Sequence, residues 1–475
     1  MKRFIVLFLI LALIFSLCGC SGNGSPGETT APVTDGLQAG YAKLQLTPSY
    51  SVSLGGYSDD ATRRSEGFRT HIYMTCIAVK SGEDTALLYT FDGLNAAKSV
   101  QDNMRKAITE AIDIPSDHIF IGATHCHSCP TLNKTFQGND TYYEEFLKIS
   151  ARAAQDAIAD LAPAEILAAA DTLTDENGKY MNFVRHFKRA DGTYSGSNFG
   201  SAETPVVDYA AKGDHELVLV KFDRAEDKKD ILMVNFQAHP DSATEIGRTL
   251  IAASWVGPLR DELETLSGMQ VAYFTGASGN QNKDTPIPED ANGLDWEAYG
   301  KKVAQLINGK LPQLKPMEGT QFKQTSTQLP LDIDHSWDNM IEQANEVYDL
   351  WKSANKTAGD ALGKKYGFSS SYQANAIRNR YKMDETGTLE VRAFRIGSIG
   401  FTTGTYEMFS THSLYVKEHS PFDITFIIAG NFTYLPDEAA YDYRSYEADT
   451  GYYAKGSGEK RIPITVEEVE DIMNE

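Results

Sequence analysis

Basic residues are scarce in this chain: 44 Lys and Arg stand against 65 Asp and Glu, a formal charge of -21. That balance argues against nucleic acid as a partner and against adsorption to anionic lipid by charge. Cysteine is scarce too, with 5 in 475 residues, which leaves no disulfide framework. Cys126 and Cys129 form a C-x-x-C around His127. At a strand-to-loop junction they read as two small semi-buried residues ahead of a redox pair. Long apolar runs are missing except at the start, where Phe4 to Phe15 is unbroken. A run of about a dozen residues is too short to cross a ~30 Å hydrocarbon core as a helix. No repeat and no long low-complexity stretch follows the N-terminal segment.

The N-terminus reads as a secretory signal with a lipoprotein ending. Lys2 and Arg3 give a positive start, Phe4 to Phe15 an apolar region, and Leu17-Cys18-Gly19-Cys20 matches a bacterial lipobox. In that pattern the last Cys is lipidated and becomes the mature N-terminus. Residues 1–19 are therefore expected to be a signal peptide and Cys20 the lipidation site. Ser21 to Gly36 is Gly, Ser, Thr and Pro with little apolar content. Such a stretch buries too little surface to fold, so 20–38 is expected to be a flexible tether. The rest is expected to sit outside the cytoplasm, held to the cell membrane by lipid.

From 39 to 475 the pattern is globular. A chain of 475 residues would usually divide into more than one domain, but large single α/β enzymes reach this size. Apolar runs predict buried strands over Thr85–Phe91, His118–Ala123, Ile231–Ala238, Val271–Thr275, Arg395–Thr403 and Ile424–Ala429. Their hydrophobicity is continuous rather than alternating, as in strands covered on both faces. Amphipathic helices fall between them, one with Val100, Met104, Ala107, Ile108 and Ala111 on a face, another with Phe146, Ile149, Ala153 and Ala157. The expectation is an α/β fold: a mixed or mostly parallel sheet with helices on both faces, one large catalytic domain, and a helical insertion over 337–381.

Each predicted strand runs into a polar residue of chemical interest. His125 and His127 follow one, His239-Pro240 another, Gly276 to Asn280 a third; Glu407 and Tyr434 follow the last two. In α/β folds ligands bind beyond the carboxyl ends of strands, so these clusters can converge on one cleft. Neutral imidazole is the commonest metal ligand, and catalytic zinc takes about three protein ligands plus water. Two His and a carboxylate such as Glu407 would suffice. Satisfied structural histidines remain the alternative at this point.

The residues also carry a resemblance. Thr124-His125-Cys126-His127-Ser128-Cys129-Pro130 resembles the T-H-T-H-S-G-P motif of the neutral ceramidase family. In the same order, Gly40 to Pro48 with Gly55-Gly56-Tyr57, Asn235 to Pro240, Ala253 to Gly257, and Tyr434 with Tyr441 and Tyr446-Glu447-Ala448 resemble further segments of that family. The resemblance implies zinc ligation by His125, His239, Glu407 and Tyr434. It implies that His127 faces the substrate carbonyl, that Arg185 binds substrate, and that Tyr446 is a second active-site tyrosine. Two departures stand out. The family's serine aligns with Asn282 in Gly279-Asn280-Gln281-Asn282. The sequence also ends at Glu475, where the family continues into an immunoglobulin-like domain. Both bear on ceramide as the substrate, and neither touches the zinc ligands.

The function expected is hydrolysis of an amide, or else an ester, of a small-molecule or lipid substrate by zinc-activated water. His127 and Tyr446 would act on the oxyanion or the leaving amine, Arg185 would orient a polar head group, and Asn280 and Asn282 would hydrogen-bond substrate. The rivals are a lipid-anchored binding protein and an inactive relative serving as a surface interaction protein. Mass spectrometry of the mature protein should find diacylglycerol on Cys20, and Cys20→Ala should release soluble protein or stall processing. An unmodified N-terminus at another residue overturns that reading.

Overall fold

The computed structural model describes residues 36–474 apart from 58, 61, 196–204, 226, 384–386 and 431–432. The signal, Cys20 and nearly all of the tether lie outside the described residues. Among those described, no helix is long and apolar enough to cross a membrane.

Eight strands form the path of one large mixed sheet: β1 (Leu37–Gln45), β2 (Tyr73–Ser81), β3 (Asp84–Phe91), β4 (Ile119–Ala123), β5 (Ala162–Thr172), β6 (Glu216–Arg224), β7 (Ile231–Phe236) and β8 (Gln270–Thr275). Their order is β8-β7-β6-β5-β1-β2-β3-β4, with Lys315–Pro316 pairing on β5 as a ninth. Within it β3 runs parallel to β4 and β7 to β8, and the other neighbours are antiparallel. A second sheet holds β9 (Phe322–Pro330), β10 (Thr388–Ile396), β11 (Ile399–Gly404) and β12 (Ile424–Ala429) in that order, with β11 parallel to β12.

The two sheets pack face to face. Ile77, Leu88, Phe120, Met233 and Phe274 meet Phe394, Phe401, Phe426 and Ile428 in one apolar layer. Phe394 stacks on Phe401 with centroids 4.5 Å apart, and Phe274 meets Phe426 edge-on at 5.5 Å. Helices cover the outer faces. Met104 and Ile108 of α1 (Lys98–Ala111) and Phe146 and Ala153 of α2 (Asn139–Ala159) cover Cys76, Leu87, Tyr89 and Ile121. Leu259 and Leu263 of α3 (Val256–Ser267) and Val303 and Ile307 of α4 (Trp296–Lys310) cover Leu232, Val234, Val271 and Tyr273. On the smaller sheet, a long C-terminal helix (Ser457–Asn474) sets Ile462 and Val466 against Leu329 and Val391. This sandwich explains the continuous apolar runs: alternate residues face a helix layer and another sheet.

The edges of the large sheet meet. Thr275 Oγ1 donates to Thr124 O at 2.8 Å, and Thr90 Oγ1 to Tyr273 O at 2.7 Å, both buried. These bonds bring β3–β4 beside β8 and so bring their carboxyl ends together. Asp92, just past β3, is fully buried and paired with Arg260 of α3: Nη1 to Oδ1 at 2.9 Å and Nη2 to Oδ2 at 2.6 Å. The same carboxylate accepts from Tyr73 N–H at 2.8 Å and from Thr124 Oγ1 at 3.3 Å, which ties it to the residue before His125.

Several expectations need correction. Arg395–Thr403 is not one strand but the hairpin of β10 and β11, because Gly397 turns the chain at φ +57°. β1 begins inside the stretch assigned to the tether: Leu37 and Gln38 pair with Ser81 and Lys80, and Leu37 is buried in the inter-sheet layer. Cys126 and Cys129 are fully buried rather than semi-buried. They are free thiols facing the Ala252 carbonyl at 2.8 and 3.5 Å, and burial first, then Cys126, pushes the Cys129 thiol up. The segment 337–381 carries three helices, α5 (Ile341–Ser353), α6 (Lys356–Lys365) and α7 (Ser371–Arg380). The chain leaves α6 through Gly367, with φ +86°.

Removing one partner of a buried pair strands the other charge. Arg260→Met should therefore cost about 3–5 kcal/mol in denaturant unfolding. Asp92→Leu combined with Arg260→Met should recover part of that loss.

Candidate metal and catalytic site

The chemistry-bearing residues follow the carboxyl ends of the parallel strand pairs β3–β4, β7–β8 and β11–β12. Past β4, Thr124 N–H donates to Phe91 O at 2.9 Å and Cys126 N–H to Gly93 O at 3.0 Å. Between them His125 has φ +63°, the left-handed region that histidine enters more readily than most residues. The turn points both His125 and His127 into the same space, their ring centroids 4.9 Å apart. Past β7, His239 N–H bonds Gln281 O at 2.9 Å, and its ring lies 4.4 Å from that of His125. Glu407 and Tyr434 face one another on two short parallel strands, Glu407–Met408 and Tyr434–Leu435. The loop after β8 packs on them: Gly279 N–H reaches Met408 O at 3.0 Å, and a Cβ at Gly279 would lie 2.7 Å from Glu407 O.

The three imidazoles converge on their Nε2 atoms. His127 Nε2 lies 3.3 Å from His125 Nε2 and 3.0 Å from His239 Nε2. His125 and His239 have their tautomers set from behind. Nδ1 of His125 is 2.7 Å from Leu94 O, and Nδ1 of His239 is 3.2 Å from Ser278 O. A carbonyl accepts only, so each Nδ1 carries the proton and each Nε2 turns a lone pair inward. Glu407 Oε2 lies 3.3 Å from His125 Nε2, buried and without a hydrogen-bond donor. Two inward lone pairs and a carboxylate oxygen repel one another unless a cation or protons lie between them. Burial drives the rings the other way, bringing His127 down to about 4 and His239 well below its ordinary value. The His125, His127 and His239 ligand atoms all lie within 4.8 Å of one another, a spacing that fits a metal ion. This donor set of imidazole and carboxylate suits zinc and its neighbours in the transition series.

Arg185 does not line the cavity in front of this cluster. It is buried beside Tyr434, its guanidinium 5.6 Å from the ring, with Nε on Glu447 Oε1 at 2.7 Å and Nη2 on Gly279 O at 2.8 Å. Burial opposes its charge, yet Glu447 and then Tyr434 hold it above its ordinary value. Glu447 accepts on its other oxygen from His186 Nε2 at 2.7 Å, and His186 Nδ1 meets the Tyr443 hydroxyl at 2.7 Å. Burial works against Glu447 as well, but His186 and Arg185 pull it down to about 2. Arg185 is thus spent on the frame around Tyr434 rather than offered to a polar head group.

The asparagines also sit differently from expectation. Asn280 is fully buried, its Oδ1 accepting from Ser410 N–H at 2.8 Å and its Nδ2 donating to Ser410 Oγ at 3.2 Å. It holds the start of helix Ser410–His419 instead of facing substrate. Asn282 bridges to the backbone of His239, and its Oδ1 is buried without a protein partner. Ser278 Oγ is likewise buried without a partner.

A cavity of about 370 Å³ opens in front of the cluster, lined by His125, His127, Glu407, Tyr434 and Tyr446. Its walls come from the Gly56–Asp60 loop and from α5 and α7 of the insertion. Sequence reasoning missed Asp241, two residues past His239. Its Oδ1 lies 3.8 Å from His127 Nδ1 and accepts from the Tyr57 hydroxyl. Burial opposes that carboxylate's charge, and His127 and Tyr57 hold it below its usual range. A carboxylate close behind a histidine in H-P-D was the signal available. Gly56 has φ +111°, and a Cβ there would stand 2.8 Å from the His127 ring; the glycine pair matters because the ring fills that space.

Two solved structures are similar in fold. One is a crystal structure of neutral ceramidase from Pseudomonas aeruginosa, with a TM-score of 0.66, 13% identity, and 91% of this chain and 74% of that one covered. The other is a ceramidase complexed with C2, with a TM-score of 0.65, 14% identity, and 92% and 75% covered. No protein-family model matches the chain, and no curated protein does. The chain has the neutral ceramidase fold.

Glu447→Gln should destabilise the protein by about 3–5 kcal/mol at neutral pH, by stranding Arg185. Because folding lowers the Glu447 pKa from 4.5 to about 2, the wild-type advantage should be complete above pH 4.5 and fade as pH falls towards 2. Denaturant titrations of both proteins across that window check it.

Proposed function

We propose that this chain is a zinc-dependent hydrolase of amide bonds, working outside the cytoplasm and held to the membrane by lipid on Cys20. The observation that carries the reading is the pair of inward Nε2 lone pairs on His125 and His239 beside the unpartnered Glu407 Oε2. The fold shared with two ceramidase structures adds weight, as does the ordered resemblance of the sequence motifs to that family.

His125, His239 and Glu407 would hold the ion, with Tyr434 as the fourth ligand. When bound, zinc supplies Lewis acidity, lowering the pKa of a water towards ~7 and polarising a carbonyl. The residues around it do the rest. His127, neutral through burial, accepts a proton from the attacking water and passes it to the leaving amine. Asp241 faces its Nδ1 and steadies the imidazolium in between. The Tyr446 hydroxyl, pushed up to about 12 by burial and then Glu447, stays protonated and donates to the carbonyl oxygen as charge builds there. Arg185 and Glu447 keep Tyr434 in place. A serine nucleophile has no support: position 282 offers an amide, and Ser278 Oγ is sealed from the cavity.

Purified protein should contain one zinc per chain and release amine from N-acyl amides, with chelator abolishing turnover. His125→Ala and His239→Ala should lose metal and activity together. His127→Ala should keep metal and lose about 10²–10⁴-fold in kcat, and Ser278→Ala should stay within a few-fold of wild type. A metal-free protein with full activity, or an acyl adduct on Ser278, overturns the reading.

A further inference from the structure

The wall supplied by the insertion carries information about what the cavity accepts. Aromatic rings rise in a continuous edge-to-face series from the cluster to the rim. Tyr434 meets Tyr446 with centroids 6.2 Å apart, Tyr446 meets Tyr372 at 6.0 Å, Tyr372 meets Trp351 at 5.2 Å, and Trp351 meets Tyr348 at 5.9 Å. All five line the cavity. Asn375 and Asn379 of α7 line the cavity with them, as do Asn95 and Asp60. At the rim the Lys352 ammonium lies 4.3 Å from the centroid of the Trp351 ring. Among the described lining residues Leu94 and Ala376 alone are aliphatic.

Such a wall is poorly matched to long alkyl chains. Burying methylene groups is favourable only where they displace water from apolar surface, and here the ring faces are interleaved with amides, hydroxyls and charge. The volume, about 370 Å³, also falls at the low end of the ~300–1,000 Å³ usual for small-molecule sites. A pyranose ring fits both features: its C–H face stacks on an aromatic ring, and its hydroxyls pair with asparagine amides, which both donate and accept. With the scissile amide at the histidine cluster, the ring bearing it falls against Tyr446 and Tyr372.

From this we infer that the substrate is an N-acylated amino sugar, alone or at the end of a short glycan, with the ring series as its stacking platform. This rests on the amide-hydrolase reading. The C–N bond of the N-acyl group breaks, a C–O bond forms from water, and the proton goes to the nitrogen. The acyl group leaves as a carboxylate and the amine stays on the sugar.

The test separates binding from turnover, using the full-length protein in detergent micelles with zinc supplied. The probes are the disaccharide of N-acetylglucosamine and a C6 ceramide. Calorimetry should show saturable disaccharide binding. Trp351→Ala and Tyr372→Leu should each weaken it about tenfold, the scale of one lost stacking contact, and Asn375→Ala, on a half-exposed position, serves where those variants fail to fold. The kcat/KM for amine release should be higher for the disaccharide than for the ceramide. Binding without amine release sinks the hydrolase reading while supporting the sugar platform. The inference is overturned if the disaccharide does not bind, if folded Trp351, Tyr372 and Asn375 variants bind it as wild type does, or if the ceramide is the better substrate.

Discussion

The site depends on the meeting of two sheet edges. His125 and His127 follow β4, His239 follows β7 beside β8, and in an open sheet these would lie at opposite ends of an eight-strand path. The threonine bonds from Thr275 to Thr124 O and from Thr90 to Tyr273 O hold the edges together. They do so with buried hydroxyls on backbone carbonyls, in a layer otherwise packed with aromatic rings. The Asp92–Arg260 pair braces the same corner from the helix side. The metal-binding geometry follows from that closure, since the His125–His127 loop and His239, on distant stretches of chain, face one another only where the edges touch.

Behind the imidazoles the charges form a second tier that does not reach the cavity. Arg185, Glu447 and His186 are all buried and satisfy one another. Their net effect is to place a fixed positive group next to the Tyr434 ring. Such a tier is costly to bury and worth keeping only where it orders something else, here the wall that carries a phenol and a carboxylate side by side.

Much of this was legible in the sequence and the remainder fails for identifiable reasons. The runs ending at Phe91, Ala123, Thr275 and Ala429 are strands, the run over Ile231–Ala238 is a strand as far as Phe236, and of the polar residues after them His125, His127 and His239 come together. Those runs are covered by a helix layer on one face and a sheet on the other, and periodicity cannot distinguish that from helices on both. The antiparallel strand β5 is hard to read because its half-buried alternation is diluted by alanine, and β6 because its buried run Leu217–Val220 is short and flanked by charge. The β10–β11 hairpin was read as one strand because a single Gly-Ser turn interrupts the apolar run. Side-chain destinations were the least legible part. Asn280 and Arg185 carry the right chemistry at the right place in the chain, but whether an amide or guanidinium points into a cleft or back into the frame is decided by partners such as Ser410 and Glu447, more than a hundred residues away.

The insertion has its own small core, in which Ala344, Val347, Phe368, Ala374 and Ile377 pack together. Its polar ties to the rest include Gln373 Nε2 on Asp449 at 3.2 Å, Arg380 on Gly451 O at 2.9 Å and Arg444 on Gln373 at 2.9 Å, all close in sequence to Tyr446. The floor of the cavity, by contrast, is built from the sheets. Reactive groups and much of the cavity wall therefore come from different parts of one compact unit, the insertion supplying wall from a helical layer with its own core. A chain built this way can exchange its wall while keeping its floor, so that what the protein recognises is free to drift over evolutionary time without disturbing how it reacts.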